Sequence, residues 1–302
     1  MYGMVPFYRI QTHPGSAHRD EFVACCLLLT EREVEIVRRE TTPEELSDPG
    51  ICVVDIGHCH ESARNIYDHH QRPRSEAPAC SVSLVLEEMG LYEDAREYCD
   101  WLETMEWFDS RGLVETAHWL GVEPKALRRL QSPIEGALLR AFSSLSCIPT
   151  DHFLWTTMKW IGEDIRNYLE SLRERLRFIE THGTIWSCGK EEPFDVFFLP
   201  RTEPLPEDPG MGIGRFIEGQ GWKERVVGMI YPDRRGAGYG LSRFNDDRRL
   251  DFLRLRGLPD VHFAHANGFL AKTTASQPER LRELMHLAWH PEGAARRSSP
   301  EG

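Results

Sequence analysis

Residues 51–56 read Ile-Cys-Val-Val-Asp-Ile, an apolar run with a single acid, Asp55, near its end. A short, continuous apolar run predicts a strand that is buried on both faces, as in a parallel sheet. Two further strands and three helices are predicted in this half of the chain, the strands at 7–12 and 34–37 and the helices at 20–29, 81–89 and 93–108. Because strands and helices alternate, we expect an α/β architecture with a parallel sheet.

A long helix and a second domain are expected further along the chain. Apolar residues recur at steps of three and four from 154 to 179, which predicts a helix over 150–183. At about 1.5 Å per residue such a helix extends roughly 45 Å, so we interpret it as a connector between two domains. Strands are predicted beyond it at 193–199, 225–231 and 261–265.

The predicted organisation has four parts. They are an α/β domain at 1–149, the connector helix at 150–183, a smaller α+β domain at 184–290 and a disordered tail at 291–302.

Composition limits the class of partner. The chain has 302 residues, 40% of them hydrophobic, and a net charge of −12, which suits a globular protein. Proteins that coat long nucleic acids normally present a broad basic surface, so the acidic balance favours small nucleotides or short oligonucleotides.

No apolar run is long enough to span a bilayer and no secretory signal opens the sequence. We therefore expect a cytoplasmic protein without a membrane partner, and the sequence leaves a homodimer open.

Residues that commonly bind metal ions occur in four places within the first 110 residues. These are His13, His18 and Asp20 after the first strand, Asp55 at the end of the apolar strand, the triplet Asp68, His69 and His70, and Asp109. Sites in open α/β sheets form at the carboxyl ends of strands, where three of these groups are expected. Each group alone also fits a helix cap or a polar turn, so the prediction depends on all four occurring together.

The mixture of imidazoles and carboxylates indicates the chemistry. Such a donor set suits Mn²⁺ or a similar ion, and two divalent ions about 3.5–4 Å apart activate water and neutralise charge on a phosphoryl group. The expected cofactors are therefore two divalent metal ions, with Mn²⁺ favoured and Mg²⁺, Co²⁺ or Zn²⁺ as alternatives. A carboxylate at a strand end, such as Asp55, is well placed to reach both ions.

Three motifs in this half resemble those of a known family. The sequence contains H-x-G-x-x-H-x-D-E at 13–21, VVDIG at 53–57 and YDHHQR at 67–72. Together they resemble the DHH phosphoesterase superfamily, and within it the branch of the melanocyte-proliferating-gene (Myg-type) 3′–5′ RNA exonucleases, which has a histidine where His18 stands. The motifs cover the first 110 residues, and the segment VHFAHANGFLAKT at 261–273 resembles the family more loosely.

The resemblance implies a role for each motif residue. One metal ion would be bound by His13, His18 and Asp55, and the other by Asp20, Asp55, His69 and Asp109, with Asp55 bridging. Two catalytic residues are implied: His70 would contact the scissile phosphate or position water, and Asp68 would orient the neighbouring histidine. Pro14 and the fourth motif, which reads EWFDSRG at 106–112, depart from the family pattern. The altered fourth motif leaves Asp100 as the alternative to Asp109.

The resemblance also implies that 1–149 is the catalytic domain, that 184–290 is the substrate-binding domain, and that the active site lies in the cleft between them. The candidate substrate-binding residues are Arg243, His265, Asn267, Gly268 and Lys272. The resemblance implies a hydrolase that cleaves phosphodiester bonds in short single-stranded RNA or DNA, or in small nucleotides. Two alternatives remain: a nucleotide-binding or regulatory module without turnover, which the altered fourth motif favours, and a pyrophosphatase or polyphosphatase of the same superfamily.

Overall fold

The computed structural model describes residues 4–189 and 192–291, and within these ranges the chain has an α/β fold with two six-stranded sheets. It divides into two units, Met1–Ser171 (unit 1) and Leu172–Gly302 (unit 2). The tail predicted at 291–302 lies outside the described residues, apart from Pro291. Within the described ranges, no helix combines the length and apolar character needed to cross a membrane.

The sheet of unit 1 is built around the apolar run. Its strands are β1 Arg9–Thr12, β2 Glu35–Arg38, β3 Ile51–Val54, β4 His60–Glu61, β5 Ile66–Tyr67 and β6 Cys147–Ile148, in the order β4-β5-β3-β1-β2-β6. Strand β1 is parallel to β2 and β3, and β3 is parallel to β5, whereas the edge strands β4 and β6 are antiparallel. All four residues of β3 are buried, as expected for a strand covered on both faces.

Helices cover this sheet and complete unit 1. They are α1 Arg19–Glu31, α2 Pro43–Leu46, α3 Ser81–Glu88, α4 Tyr92–Tyr98, α5 Asp100–Arg111, α6 Leu113–Trp119, α7 Pro124–Arg129 and α8 Pro133–Ser143. Helix α1 is apolar over most of its surface, and nearly all residues between Asp20 and Leu29 are buried. Such a helix is stable only inside the protein, because its apolar surface must be removed from water.

The predicted long helix is confirmed as α9, Phe153–His182. It continues from unit 1 into unit 2, since the boundary between the units falls after Ser171. Near its start, Gly162 allows a close approach of α9 to α1: a Cβ there would lie 1.9 Å from the carbonyl oxygen of Cys26. The backbones of α1 and α9 are therefore in direct contact at this point.

Unit 2 has the α+β organisation expected for this part of the chain. Its strands are β7 Thr184–Cys188, β8 Phe194–Phe198, β9 Val226–Pro232, β10 Tyr239–Arg243, β11 Val261–Ala264 and β12 Leu270–Thr273, and its helices are α10 Ile213–Gly219 and α11 Pro278–Ala288. The order is β11-β12-β10-β9-β8-β7, antiparallel except between β8 and β9. Helix α11 belongs to one apolar cluster and α10 to the other.

One predicted element is wrong. The segment 93–108 forms two helices, α4 and α5, because the backbone at Cys99 is extended, with φ −117° and ψ 93°. The carboxylate of Asp100 in the first turn of α5 favours a new helix start there, since negative charge is stabilised at a helix N-terminus. The predicted domain boundaries, and the location of the site in a cleft, remain predictions.

Candidate metal centre

The predicted ligands follow three adjacent parallel strands. His13 comes directly after β1, Asp55 after β3, and the triplet at 68–70 after β5. Because β1, β3 and β5 are neighbours with parallel pairing, their carboxyl ends lie at the same edge of the sheet. Side chains far apart in sequence are thereby brought together at the position where sites form in open α/β sheets.

Asp55 lies at the centre of this edge. Its φ of 57° is in the left-handed region, which Asp adopts more readily than most residues. Its Oδ2 lies 3.4 Å from His13 Nε2 and 3.9 Å from His18 Nδ1, whereas its Oδ1 lies 3.2 Å from His69 Nε2 and 3.7 Å from His70 Nδ1. The two oxygens of one carboxylate therefore face different pairs of histidines.

Two helices add the remaining carboxylates. Asp20 is buried in the first turn of α1, and Asp109, in the last turn of α5, places its Oδ2 2.8 Å from His69 Nε2. Asp100 begins α5, nine residues earlier and hence roughly 13 Å away along the helix at 1.5 Å per residue. The structure thus brings Asp109, and not Asp100, to the other ligands.

The clustered side chains form three overlapping groups. Potential ligand atoms lie within 4.8 Å of one another in each of the groups His13, His18 and Asp55; Asp20, Asp55, His69 and Asp109; and Asp55, His69 and His70. Asp55 is the member that all three share. The first two groups have the composition that the family resemblance implies for two metal ions.

Unsatisfied polar atoms indicate that this donor set fits metal ions. His13 Nε2, Asp20 Oδ1, Asp55 Oδ2 and His69 Nε2 are buried and make no hydrogen bond within the described residues. His13 Nε2 lies 3.1 Å from Glu21 Oε2 and 3.4 Å from Asp55 Oδ2, and His69 Nε2 lies 2.8 Å from Asp109 Oδ2, but these ion-pair contacts lack hydrogen-bond geometry. A buried polar atom without a partner costs about 1–3 kcal/mol. Cations coordinated by these four atoms would remove that cost.

Crowding of the acids changes their proton affinity. Burial raises the pKa of Asp20 well above its ordinary value, and the negative charges of Asp55 and Asp109 raise it further. Burial also acts to raise the pKa of Asp55, but His13 and His69 outweigh it and hold that pKa below its usual range. The acids thus need nearby positive charge to remain ionised together, which divalent ions would supply.

The histidines respond in the opposite direction. The carboxylate of Asp55, followed by that of Glu21, raises the pKa of His13 to about 10. Burial lowers the pKa of His69, but Asp109 and Asp55 outweigh it and raise that pKa to about 10. Since imidazole binds metal ions in its neutral form, metal binding at either residue would displace a proton.

Among the two histidines that follow it, the carboxylate of Asp68 forms its hydrogen bonds with His70. Its Oδ1 lies 2.7 Å from His70 Nδ1 and accepts a hydrogen bond from the His70 amide, and its Oδ2 accepts one from the amide of His58. This carboxylate raises the pKa of His70. The histidine that Asp68 orients is therefore His70, whose side chain is half exposed.

Glu21 was missed as a site residue, although it belongs to the H-x-G-x-x-H-x-D-E motif. This fully buried carboxylate accepts hydrogen bonds from Thr12 Oγ1 at 2.6 Å and from the amide of His18 at 3.0 Å, and it lies 3.1 Å from His13 Nε2. The signal in the sequence is its position three residues after the helix cap, which is the acidic position of a capping box. Glu21 thus fixes both histidines of the first motif.

Arg38 supports Glu21 from the end of β2. Its guanidinium lies 3.2 Å from Glu21 Oε1, with both side chains buried. It also donates to the carbonyl oxygens of Gly15 and Phe142 and lies over the Phe142 ring at 4.5 Å. A buried ion pair with these additional hydrogen bonds connects the loop after His13 to α1 and α8.

Ser81 is a second residue that sequence reasoning missed. It begins α3, and its hydroxyl donates to Asp55 Oδ1 at 2.9 Å while its amide donates to Asp20 Oδ2 at 3.1 Å. These contacts leave Asp55 Oδ2 and Asp20 Oδ1 as the oxygens without a partner. Ser81 therefore orients two of the predicted metal-binding carboxylates.

The glycine-containing segment predicted in unit 2 forms the turn between β11 and β12. In this turn, Asn267 donates its amide to His265 Nδ1 and Gly268 donates its amide to the His265 carbonyl. Gly268 has φ +69°, and a Cβ there would lie 2.0 Å from Asp251 Oδ1. The turn itself therefore requires glycine, whether or not it binds substrate.

The two predicted phosphate-binding cations of unit 2 are engaged in internal contacts. Arg243 Nε donates to the Leu250 carbonyl at 2.6 Å and its Nη1 to Asp246 Oδ1 at 2.9 Å. Lys272 Nζ donates to Asp233 Oδ1 at 2.7 Å. Contact of either side chain with substrate remains a prediction, and it would require part of these interactions to be exchanged.

Comparison with known proteins relates the first part of the chain to one family. Residues 9–90 match the family model MYG1_exonuc, described as "Uncharacterised protein family (UPF0160)". Over 71 residues the chain is 51% identical to the MYG1 exonuclease of Bos taurus and 49% identical to that of Homo sapiens. Each match covers 22% of this chain and only 18% of the relative's length.

A solved structure is similar at a much lower level. It is titled "Member of s1p family of ribosomal proteins PF0399 DHH domain", covers 94% of this chain at 13% identity, and has a TM-score of 0.34. A TM-score this low does not establish a shared fold. The relationship thus depends on the motif-bearing segment. Over residues 9–90 the predicted resemblance to the Myg-type branch is confirmed, because this segment matches the family model and is similar in sequence to the MYG1 exonucleases.

Proposed function

We propose that unit 1 contains the active site of a metal-dependent phosphoesterase, which hydrolyses phosphodiester bonds in short RNA or in small nucleotides. The observation that carries the proposal is the convergence of two potential ligand groups on the shared carboxylate of Asp55. Relatives named MYG1 exonuclease support a nuclease, and the net charge of −12 favours short substrates over long nucleic acid.

Two divalent ions at the centre would supply positive charge to the phosphoryl oxygens and a water of lowered pKa. Asp55 is the residue expected to hold both, because its Oδ2 faces His13 and its Oδ1 faces His69. Mn²⁺ is the favoured ion for this mixed set of nitrogen and oxygen donors, with Mg²⁺, Co²⁺ and Zn²⁺ as alternatives.

His70 is proposed to act on the substrate directly. Its Nδ1 is held by Asp68, and the raised pKa favours a protonated ring. The Nε2–H of that ring is then free to donate to a phosphate oxygen, or to a leaving oxygen as charge develops on it. Asp68 fixes the orientation of the ring and stabilises its charge.

A small cavity next to these histidines suits an anion. It has a volume of about 230 Å³. Its charged and titratable lining residues are three histidines, three arginines and one carboxylate that is a proposed metal ligand: His18, His69, His70, Arg72, Arg74, Arg111 and Asp109. The guanidinium of Arg111 donates to backbone carbonyls, whereas Arg72 forms no ion pair within the described part of the chain. Arg72 is thus available to contact a phosphate beside the metal centre.

Unit 2 is proposed to supply further substrate contacts. The residues proposed for this role are Arg243, His265, Asn267, Gly268 and Lys272. The positive-φ Gly268 has no side chain that would keep a phosphate away from the backbone of this turn, and His265 and Lys272 would donate to that phosphate.

The test is hydrolysis by the purified full chain loaded in turn with Mn²⁺, Mg²⁺, Co²⁺ and Zn²⁺. The panel contains short single-stranded RNA and DNA, dinucleotides, pyrophosphate and polyphosphate. We expect Mn²⁺-dependent cleavage of short RNA, and a loss of at least about 100-fold in kcat for Asp55→Asn, since ligand and partner losses at metal sites have effects of this order. Asp100→Asn, at the far end of α5, is the control and should retain activity.

The other outcomes separate the alternatives. Cleavage of pyrophosphate or polyphosphate alone would assign the site to those substrates. Tight nucleotide binding without product would favour a regulatory module. If metal-loaded protein cleaves nothing in the panel, or if Asp55→Asn is fully active, the proposed phosphoesterase function is wrong.

A further inference from the structure

A second, larger cavity adjoins the metal centre. Its volume is about 670 Å³, and His18, Asp20 and Asp109 line one part of it. Cavities of roughly 300–1,000 Å³ are typical of sites for small molecules. Apart from Ala17 and Arg19, the other lining residues come from 105–140, which lie outside the segment that matches the known family.

Part of the cavity wall is apolar. Met105 and Phe108 of α5 and Leu139 of α8 contribute to it. Arg19 pairs with Glu135 and lies 5.5 Å from the centre of the Phe108 ring, so these two opposite charges offset each other. An aromatic ring in an apolar wall suits a nucleobase, which stacks on such rings irrespective of its identity.

Two further arginines give the cavity uncompensated positive charge. Arg128 of α7 and Arg140 of α8 both line it and are exposed, and neither has an acidic partner among the residues that the structure describes. Guanidinium groups bind phosphate through paired hydrogen bonds. One part of the cavity is therefore acidic and suited to metal ions, and another is basic and suited to an anion.

We infer that this cavity binds the terminal nucleotide of the substrate, with its base against Phe108 and a second phosphate at Arg128 and Arg140. The inference rests on the proposed phosphoesterase function and makes its substrate class more specific. The preferred substrates are short oligonucleotides that carry a terminal phosphate in addition to the scissile one.

The experiment compares four substrates with the Mn²⁺-loaded full chain. They are diadenylate (ApA), its 5′-phosphorylated form (pApA), its 3′-phosphorylated form (ApAp) and bis(4-nitrophenyl) phosphate, which has no nucleoside and no second phosphate. The test variant is Arg128→Gln/Arg140→Gln. The matched control is Arg129→Gln, since Arg129 is an exposed neighbour on α7 that does not line the cavity.

One phosphorylated form should have a KM at least about tenfold below that of ApA, as expected for one charged contact of about 1.4 kcal/mol. The double variant should show no such difference in KM. Its kcat should stay within about twofold of the wild type, because the arginines do not touch the reacting atoms. It should also hydrolyse bis(4-nitrophenyl) phosphate at the wild-type rate. Arg129→Gln should behave as the wild type.

Three results would overturn the inference. The inference alone is wrong if the wild type cleaves ApA and bis(4-nitrophenyl) phosphate and the double variant has the same KM for pApA and ApAp as the wild type. An equal loss on all four substrates would show that the arginines support the fold or the metal centre and not the terminal phosphate. If the wild type cleaves none of the four, the proposed function fails and the inference fails with it.

Discussion

At the scale of single residues, the candidate centre depends on how two carboxylates are oriented. Ser81 donates its hydroxyl to Asp55 and its amide to Asp20, and each acid is left with one buried oxygen that has no partner. Outer partners of this kind fix the orientation of metal ligands. Ser81, which is not itself a predicted metal ligand, would therefore influence the binding of both proposed ions.

Removal of the Ser81 hydroxyl should weaken metal binding. For Ser81→Ala we expect a fall in Mn²⁺ affinity of about 10–100-fold, the usual effect of losing such a partner, measured by isothermal titration calorimetry. Ser83→Ala is the matched control, because Ser83 is also buried on α3 but donates to Glu106. Unchanged Mn²⁺ affinity in Ser81→Ala, or an equal loss in both variants, would contradict this role.

The buried pair of Arg38 and Glu21 should behave non-additively. Arg38→Met removes the guanidinium partner of the buried Glu21 carboxylate and leaves His13 Nε2, at 3.1 Å, as its cationic neighbour, so we expect the free energy of unfolding to fall by about 3–5 kcal/mol. Adding Glu21→Gln removes that poorly compensated charge, and the double variant should be more stable than Arg38→Met alone. Urea denaturation of Arg38→Met, Glu21→Gln and the double variant measures the coupling, with Arg39→Met, an exposed neighbour, as the control. Additive losses would show that the two side chains are not coupled.

The residues that cluster around Asp55 could be predicted from sequence, whereas Ser81 and Glu21, which contact them, were missed. His13, Asp55 and His69 follow strands in recognisable motifs, so sequence order indicates where they lie. Ser81 and Glu21 act through contacts over 26 and 9 residues of sequence, and such contacts depend on how α3 and α1 pack on the sheet. A single serine at a helix start carries no signal that identifies its partner.

At the scale of elements, parallel pairing of β1, β3 and β5 determines where the centre forms. The strands place three motifs at one edge, and α1 and α5 each add one carboxylate, Asp20 and Asp109. Although the fourth motif is altered, Asp109 Oδ2 still lies 2.8 Å from His69 Nε2. The departure from the family pattern therefore has not removed the ligand that the resemblance implies.

Gly162 is required where α9 crosses α1. Alanine normally favours a helix over glycine by about 1 kcal/mol, but here a Cβ would meet the Cys26 carbonyl at 1.9 Å. We expect Gly162→Ala to lower the free energy of unfolding by about 1–3 kcal/mol, as in other overpacked interiors, measured by urea denaturation. Gly214→Ala, in helix α10 with no contact below 3.8 Å, should cause no loss. A stabilised Gly162→Ala variant would contradict the close approach.

The regular elements were predicted only in part: β3 and α9 were predicted, whereas helices α8 and α11, of eleven residues each, were missed. The apolar run of β3 and the stripe of α9 have unambiguous patterns, because burial on two faces or on one helical stripe dictates them. Helices α6 and α7 have only seven and six residues, too few to establish a period. Strand β10 was missed because its segment contains Gly238 and Gly240, which are more typical of turns.

At the scale of the whole molecule, the metal centre should contribute to stability. An ion that binds the folded chain alone stabilises it by about 2.7 kcal/mol at 100 times its Kd. Mn²⁺ should therefore raise the unfolding temperature, EDTA should reverse the increase, and Asp55→Asn should abolish it in differential scanning calorimetry. Equal unfolding temperatures with Mn²⁺ and with EDTA would indicate that no ion is bound in the folded state.

The central claim is that Asp55 is shared between two metal ions. Anomalous X-ray diffraction at the manganese edge, from crystals grown with Mn²⁺, tests it most directly. We predict two anomalous peaks about 3.5–4 Å apart, one beside His13 and His18 and one beside Asp20, His69 and Asp109, with Asp55 contacting both. A single peak, or peaks away from Asp55, would contradict the claim.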